Sequence, residues 1–265
     1  MTTNNSLFNF FESELDSMPK YIQAHFNAVK PILLKAIENP YSVTHIEAMQ
    51  LLNVYKCSYH DSGKIEDIMS LDSSCHGCTF CNNWRELAKS NKSIICGYCY
   101  DYRQENYRKG VLYRHALNLL IMSLVLFSED ELGTLPTHYI VRINSSGDIE
   151  NVTHARNMIR YAKTHVYSHV ALWSKNFKAC EQAFDIEGKP INMTFVASSP
   201  IINKAIKAPK YADYVFTVYN DIKALQEALK NGACECNGKK CKECGFKCYL
   251  NIWRLGSNIA ELLKL

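Results

Sequence analysis

The second half of the chain alternates short apolar runs with amphipathic segments at a regular interval. The apolar runs predict strands at residues 139–144, 166–173, 191–197 and 214–219. The segments after them predict helices at 154–163 and 178–184, a short one after Pro200, and one at 221–229. Strands that alternate with helices predict βαβ units and a parallel sheet. Right-handed crossovers would place the carboxyl ends of these strands on one side of the sheet.

The first 56 residues show helical periodicity instead. Apolar side chains recur at three- and four-residue spacing from Ile22 to Leu33, although Pro31 is expected to kink or end that helix. Thr44 and Glu47 have the spacing of a capping box, which predicts a helix that begins after Thr44. We interpret residues 1–56 as a helical N-terminal cap.

Residues 56–92 break both patterns, with frequent Ser, Asp, Gly and Cys, and predict an irregular cysteine-rich loop. A short strand at 93–95 and one long helix after Cys99 are expected to follow. We therefore divide the rest of the chain into an α/β domain at 57–233, with its cysteine-rich loop at 75–99, and a segment at 234–265. That last segment is predicted to hold a second cysteine-rich stretch and a final helix packed on the same domain.

Composition narrows the class of protein. The chain has 265 residues, 47% of them hydrophobic and 21% charged, which is typical of a globular protein with a buried core. No basic segment followed by an apolar run opens the sequence, so we expect no secretory signal and no membrane contact. The expected location is the cytoplasm of a host cell, where thiols stay reduced and clustered cysteines favour metal binding over disulfides.

Ten of the twelve cysteines fall in two short segments. The first cysteine segment contains Cys75, Cys78, Cys81, Cys96 and Cys99, and the second contains Cys234, Cys236, Cys241, Cys244 and Cys248. A structural zinc site uses four ligands, and a run of cysteines at two-residue gaps is more typical of iron–sulfur ligation. The spacing therefore favours an iron–sulfur cluster of the [4Fe–4S] type and leaves zinc as the alternative. It also leaves open whether the two segments hold two centres or share one.

Polar residues follow the predicted strands, where α/β folds build their sites. Ser146, Gly147 and Asp148 come after the first of these strands, and Ser174 and Lys175 after the second. A glycine between a hydroxyl and a carboxylate can bring backbone amides and an acceptor around a polar ligand. We predict that these five residues bind a cofactor.

Several short motifs together resemble the phage "gene product 88" family. They are Cys96-x2-Cys99 followed by Tyr100, the strand end R-I-x-x-S-G-D from Arg142 to Asp148, the later L-W-S-K-N, and the terminal C-x2-C-x3-C. The likeness covers roughly residues 75–250. It implies a protein of phages and mobile elements, without defining its chemistry.

More distantly, the chain resembles the radical S-adenosylmethionine enzymes. Those enzymes use a partial (β/α) barrel with a cysteine-rich loop after the first strand, and their cluster binds S-adenosylmethionine. The resemblance implies such a barrel, partial or open, with Ser146, Gly147 and Asp148 near the ligand amine. The family's C-x3-C-x2-C motif is absent, since Ser74 and Lys92 stand where its first cysteine would fall. This absence suggests that some cluster ligands come from the second cysteine segment.

The remaining motifs are weaker. Tyrosines alternate with arginines and lysines between Tyr98 and Arg114, a composition that can contact nucleic acid. No Ser-His-Asp order, phosphate-binding glycine loop or HExxH motif supports a hydrolase or a kinase. The leading hypothesis is an iron–sulfur protein of phage type, with radical chemistry on an unknown small-molecule or nucleic-acid substrate left open. The alternative is a non-enzymatic zinc protein that contacts nucleic acid or a host protein.

Overall fold

The computed structural model describes residues 3–236, 240–251 and 257–263. The α-helices of this part of the chain are α1 Thr3–Glu14, α2 Lys20–Glu38, α3 His45–Val54, α4 Thr79–Ser90, α5 Tyr100–Tyr107, α6 Lys109–Leu124, α7 Glu129–Leu132, α8 Val152–Thr164, α9 Phe177–Glu187 and α10 Ile222–Lys230. The strands are β1 Ser58–His60, β2 Ile68–Leu71, β3 Ile140–Ile143, β4 His169–Ser174, β5 Met193–Ser198, β6 Tyr214–Tyr219, β7 Cys234–Cys236 and β8 Asn258–Leu262.

The strands form one sheet in the order β1-β2-β3-β4-β5-β6-β8-β7. Only β1 runs antiparallel to its neighbour, and all other pairs are parallel. The sheet is open in the described residues, with β1 and β7 at its edges. The fold is therefore a mixed α/β fold, and the sequential order of β2 to β6 brings their carboxyl ends to one edge of the sheet.

The two faces of the sheet are covered differently. Side chains such as Leu71, Val141 and Leu172 share a core with the helices. Alternate side chains on the same strands, such as Ile140 and Ala171, point to the other face because successive residues of a strand alternate sides. That face packs against the second cysteine segment. The helices thus lie on one face, and the second cysteine segment covers the other.

The N-terminal helices pack into the helical side of this core. Phe11 of α1 stacks on Phe26 of α2 with ring centroids 4.9 Å apart, and both are fully buried. The predicted capping box is confirmed, since Thr44 Oγ1 accepts from the Glu47 amide and the Glu47 carboxylate accepts from the Thr44 amide. Pro31 does not end α2, which continues to Glu38.

The four strands predicted in the second half are confirmed within a few residues, as are α8, α9 and α10. Three predictions in the preceding part are wrong. Residues 56–92 are not one irregular loop, because they contain β1, β2 and α4. Residues 93–95 form no strand but only a single bridge between Ile94 and Ile201, and the helix after Cys99 is two helices that meet at Arg108. The short helix predicted after Pro200 is a turn and extended chain.

The predicted final helix is also wrong where the structure describes it. Residues 258–262 form β8, which inserts between β6 and β7 and pairs in parallel with both. Residues 252–256, which the predicted helix would include, lie outside the described residues. None of the described helices is long and apolar enough to cross a membrane.

Candidate metal and ligand site

The first cysteine segment begins where β2 ends, and a buried carboxylate holds it there. Asp72 Oδ1 accepts hydrogen bonds from the Ser145 hydroxyl at 2.6 Å and from the Ser146 amide at 3.0 Å. These bonds join the loop after β2 to the loop after β3. Gly147 has φ +82°, and a Cβ there would lie 2.4 Å from the Ser73 carbonyl oxygen. Only glycine fits this close approach.

A second buried carboxylate orients the backbone around Cys75. Glu105 Oε2 accepts from the Ser74 hydroxyl at 3.0 Å, the Cys75 amide at 3.1 Å and the His76 amide at 3.2 Å. The His115 ring lies behind it, with Nδ1 at 3.2 Å from Glu105 Oε1. The carboxylate thus satisfies the donors of a tight turn, which fixes the direction in which the Cys75 side chain leaves the backbone.

The thiols of the first segment come together at the carboxyl edge of the sheet. Cys75 Sγ and Cys99 Sγ are 3.9 Å apart. Cys81 is close enough to interact with both Cys75 and Cys78. Cys96 completes the group, since it lines the same chamber as Cys75, Cys81 and Cys99.

Two of these sulfurs also cap helices. Cys78 Sγ accepts from the Cys81 amide at 3.3 Å at the start of α4, and Cys99 Sγ accepts from the Tyr102 amide at 3.5 Å at the start of α5. Amide donors and the positive end of a helix both favour a thiolate over a thiol. The local structure therefore gives both sulfurs contacts that stabilise a thiolate.

Burial has the opposite effect, because it favours the neutral thiol over the thiolate. It raises the pKa of the Cys78 thiol to about 11 and also raises that of Cys96. The pKa of Cys99 is raised chiefly by its hydrogen bond with Cys75 and then by burial. A bound cation would compensate this cost, since metal ligands must be deprotonated. In the described part of the chain, however, no three His, Cys, Asp or Glu side chains are already arranged as a metal-binding group.

The second cysteine segment has its own compact arrangement. The Cys241 amide donates to the Lys64 carbonyl oxygen at 2.8 Å, which ties the segment to the chain between β1 and β2. The Cys244 thiol donates to the Cys241 carbonyl oxygen at 3.1 Å. Cys241 and Cys248 are buried against the sheet, and burial followed by the charge of Cys241 raises the pKa of Cys248. Cys234 and Cys236 lie on β7 beside this group.

Both segments face one cleft. Its outer part, with a volume of about 620 Å³, is lined by Cys96 and Cys99 from the first segment and by Cys236, Cys241 and Cys248 from the second. An inner chamber of about 150 Å³ shares many of these walls and reaches Cys75 and Cys81. Both cysteine segments thus contribute walls to one cleft.

The five residues predicted to bind a cofactor lie in this region, but several are already engaged. Asp148 accepts from the Ser174 hydroxyl and from the Lys175 amide, which joins the loops after β3 and β4. Gly147 packs against Ser73, and the Ser146 amide bonds Asp72. Gly147, Asp148 and Lys175 nevertheless line the inner chamber.

Lys175 supplies positive charge near the sulfurs. Burial alone would lower its pKa, but negative groups around it, Cys96 and Asp148 foremost, raise that pKa above its ordinary value. An ammonium group beside several thiols offsets the charge that they acquire on deprotonation. We assign Lys175 this electrostatic role on the wall of the chamber.

Sequence reasoning missed four side chains of the cleft: Asp101, Arg142, Asn144 and Trp173. Arg142 lies over the Trp173 ring, 4.5 Å from its centroid, and Trp173 packs edge-on against Phe216. Burial raises the pKa of Asp101 to about 7. A charged residue inside the otherwise apolar β3 was the available signal for Arg142. Asn144 has a positive φ of +59°. Asparagine adopts this backbone conformation more often than most residues do, so an asparagine directly after a strand was a weak signal.

Comparison of the chain with protein-family models, with curated proteins and with solved structures gave no match. The assignment of a function therefore depends on the geometry of the cleft and on the motifs of the sequence.

Proposed function

We propose that this chain is an iron–sulfur protein whose cluster is ligated by the first cysteine segment, at the inner end of the cleft. The observation that carries the proposal is the convergence of Cys75, Cys81, Cys96 and Cys99 on one chamber at the carboxyl edge of a parallel sheet. Residues distant in sequence meet there, which packing alone does not require. Cys78, whose Sγ accepts from the Cys81 amide at 3.3 Å, is the fifth available ligand.

The donor set fits a cluster in three respects. Four of the five cysteines of the first segment are buried and Cys99 is half-buried, two of the sulfurs accept backbone amide hydrogen bonds, and Lys175 lies on the same wall. Hydrogen bonds from backbone amides to the sulfurs and low solvent access both tune the reduction potential of iron–sulfur centres in proteins. Because the side chains are not yet arranged as a coordination shell, cluster binding must reorient some of them.

The strand order supports a more specific fold interpretation. Strands β2 to β6 follow one another in the sheet, all parallel, and the first cysteine segment comes directly after the first of them. A partial (β/α) barrel has this order, and so do the radical S-adenosylmethionine enzymes that the sequence resembles. We propose that the sheet is a partial barrel and that the chain is of the phage "gene product 88" type.

The same likeness suggests an enzyme. When bound, a [4Fe–4S] cluster with S-adenosylmethionine would supply one-electron chemistry. The chain's own contribution is to hold the cysteines through Asp72 and Glu105, to shield the chamber with Trp173 and Phe216, and to provide cationic groups at Lys175 and Arg142. The cleft beyond the chamber is large enough for a small-molecule substrate.

Metal analysis tests the proposal. Full-length protein purified without oxygen should be brown and contain iron together with acid-labile sulfide. Replacement of Cys99 by serine should remove the iron bound by the first segment, because Cys99 Sγ lies 3.9 Å from Cys75 Sγ in the chamber. Replacement of Cys57, a thiol outside both segments whose pKa burial raises to about 12, is the matched control and should leave the iron content unchanged. Colourless protein with stoichiometric zinc would contradict the proposal.

Catalysis needs a separate measurement. Reduced, cluster-loaded protein should cleave S-adenosylmethionine to 5′-deoxyadenosine and methionine if the radical interpretation is right. Cluster-loaded protein that fails to bind S-adenosylmethionine would restrict the function to electron transfer, sensing or structure.

One distance favours a second candidate, a zinc site. Two sulfurs on a tetrahedral zinc at Zn–S of roughly 2.3 Å lie about 3.8 Å apart. The separation of 3.9 Å between Cys75 and Cys99 is close to that value. Thiolates on a [4Fe–4S] cluster ligate different irons and lie further apart. The same metal analysis distinguishes the two candidates.

The zinc candidate comes with a surface that could serve a non-enzymatic function. A groove of about 380 Å³ beside the first segment is lined by Arg85, Lys89, Lys92 and Arg103 together with Tyr98. Basic and aromatic side chains in one groove can follow a nucleic-acid backbone and stack on bases. Under this candidate, single-stranded DNA or RNA should bind with an affinity that falls steeply with salt, and an unchanged affinity would leave a host protein as the partner.

A further inference from the structure

The inner chamber contains hydrogen-bond donors that the protein leaves unused. Arg142 Nε, Asn144 Nδ2 and Trp173 Nε1 are buried and have no hydrogen-bond partner among the described residues. All three side chains line the chamber, and Asn144 is only 4% exposed. A buried donor without a partner is costly, so native proteins rarely retain one unless something binds it. Three around one small chamber point to a missing ligand.

The environment of Arg142 indicates the charge of that ligand. Two other arginines of the chain, Arg156 and Arg160, have a carboxylate partner, since both form ion pairs with Glu187. Arg142 instead has the Trp173 ring on one side and a long hydrogen bond of 3.4 Å to the Tyr249 hydroxyl on the other. Cys241 and Asp101 attract it electrostatically, but neither forms an ion pair with it among the described residues. A guanidinium whose buried Nε–H has no partner is a binding group for an oxyanion.

The walls indicate the rest of the ligand. Trp173, Phe216 and Tyr249 line the outer cleft next to Arg142, and the two rings Trp173 and Phe216 pack edge-on at 5.0 Å. Aromatic walls favour a planar or aromatic ligand body. The outer cleft, at about 620 Å³, is within the usual range for small-molecule sites.

We propose that the cleft binds a small aromatic oxyanion, a carboxylate or a phosphate, with its charged group where the outer cleft meets the inner chamber, at Arg142 and Trp173. Arg142 supplies the charge, and Asn144 and Trp173 donate the directional hydrogen bonds. This inference names the substrate class of the proposed function, and it rests on that function only in treating the cleft as a substrate site.

Binding of simple probes to the full chain tests the proposal. Phenyl phosphate and benzoate should each bind at least about tenfold more tightly than uncharged benzyl alcohol in saturation-transfer NMR and calorimetric titration, the value of one charge-assisted hydrogen bond. The anion that binds more tightly shows whether the site prefers a phosphate or a carboxylate. Equal binding of benzyl alcohol would overturn the proposal.

Variants locate the site. Arg142→Met should weaken anion binding about 10- to 100-fold, and Arg142→Lys should restore part of it. Asn144→Gly removes one donor while glycine tolerates the positive φ, so a smaller loss, about fivefold, is expected even if Arg142→Met does not fold. Lys207→Met, an exposed cation outside the cleft, is the control. Anion binding that survives both Arg142→Met and Asn144→Gly would overturn the proposal.

The titrations are run on metal-loaded and metal-free protein, which separates this inference from the iron–sulfur proposal. Anion binding by protein that contains no iron would support the inference while the cluster assignment fails. Brown, iron-loaded protein that binds neither anion would overturn the inference alone.

Discussion

At the scale of single residues, His154 makes the stability of the fold depend on pH. It is buried in α8, and its Nδ1 accepts the Glu150 amide at 3.3 Å, which requires a neutral ring. Burial lowers its pKa from 6.5 to about 3. The folded state therefore binds fewer protons than the unfolded state between these values, and stability falls as the pH drops below about 6.5.

The expected loss follows from that linkage. Each pH unit below 6.5 removes about 1.4 kcal/mol, so the protein should lose about 2 kcal/mol from this residue between pH 7 and pH 5. His154→Gln should unfold in urea with a correspondingly smaller difference between the two pH values. His25→Gln, on the half-buried side of α2, is the control. Identical pH dependence in His154→Gln and in the unaltered protein would contradict this assignment.

Gly147 is the second residue whose role can be measured. Alanine there would have to adopt φ +82° and would bring its Cβ against the Ser73 backbone. We expect Gly147→Ala to lower the free energy of unfolding by about 2 kcal/mol or more. Gly232→Ala is the matched control, because Gly232 also has a positive φ but has open space where the Cβ would lie. A control that loses as much stability as Gly147→Ala would show that the Ser73 contact is unimportant.

The sequence identified the chemical types of the site residues better than their roles. Cysteine spacing identified ten candidate metal ligands, and in the structure cysteines of the same segment interact with one another. The motif of Ser146, Gly147 and Asp148 was predicted to bind a cofactor, yet much of its bonding joins neighbouring loops. The open donors on Arg142 and Asn144 depend on what surrounds them, which spacing along the chain does not encode.

At the scale of secondary-structure elements, Glu105 of α5 determines the shape of the turn around Cys75. Glutamine would replace one of its two acceptor oxygens with a donor that faces the Ser74 and Cys75 donors. We expect Glu105→Gln to cost about 2 kcal/mol and to speed amide exchange at Cys75 and His76. Glu86→Gln, an exposed carboxylate of α4, should change neither quantity measurably. Slow exchange that persists in Glu105→Gln would show that another group holds the turn.

The strands that the sequence predicted correctly have a strong apolar signal, whereas the elements that it missed do not. The strands β3 to β6 are apolar runs bounded by turns, and burial on both faces keeps that signal strong. Strand β2 has only four residues, with Ser70 among them, and its run is too short to be recognised. Residues 258–262, NIAEL, contain good helix formers but become a strand because β6 offers them an unpaired edge. Tertiary context overrides propensity there.

At the scale of the whole molecule, the second cysteine segment covers the sheet face that the helices leave open. Tyr249 is buried there and accepts on its backbone oxygen from Thr194 of β5 at 3.1 Å. Lys64 and Glu261 form an ion pair that joins the region before β2 to β8. Contacts between residues this far apart in sequence have no periodic signature, which is why the sequence suggested a packed terminal segment but not which surface it covers.

The same arrangement bears on the number of metal centres. The cysteine contacts described by the structure lie within each segment, and Arg142 and Trp173 line the cleft between the two groups. The thiol–thiol contacts found among the described residues stay within each group, and this favours two separate centres over one shared cluster. We therefore expect the full-length protein to bind two equivalents of its metal centre, one in each segment.

Paired substitutions measure this directly. Cys96→Ser with Cys99→Ser should remove the metal of the first segment and leave that of the second, whereas Cys241→Ser with Cys248→Ser should do the reverse. The losses should add in the protein that carries all four changes, because independent sites contribute independently. Metal and sulfide per chain are measured by elemental analysis on samples with matched circular dichroism, and Cys57→Ser serves as the control. If either pair alone removes all of the metal, the two segments ligate a single shared centre.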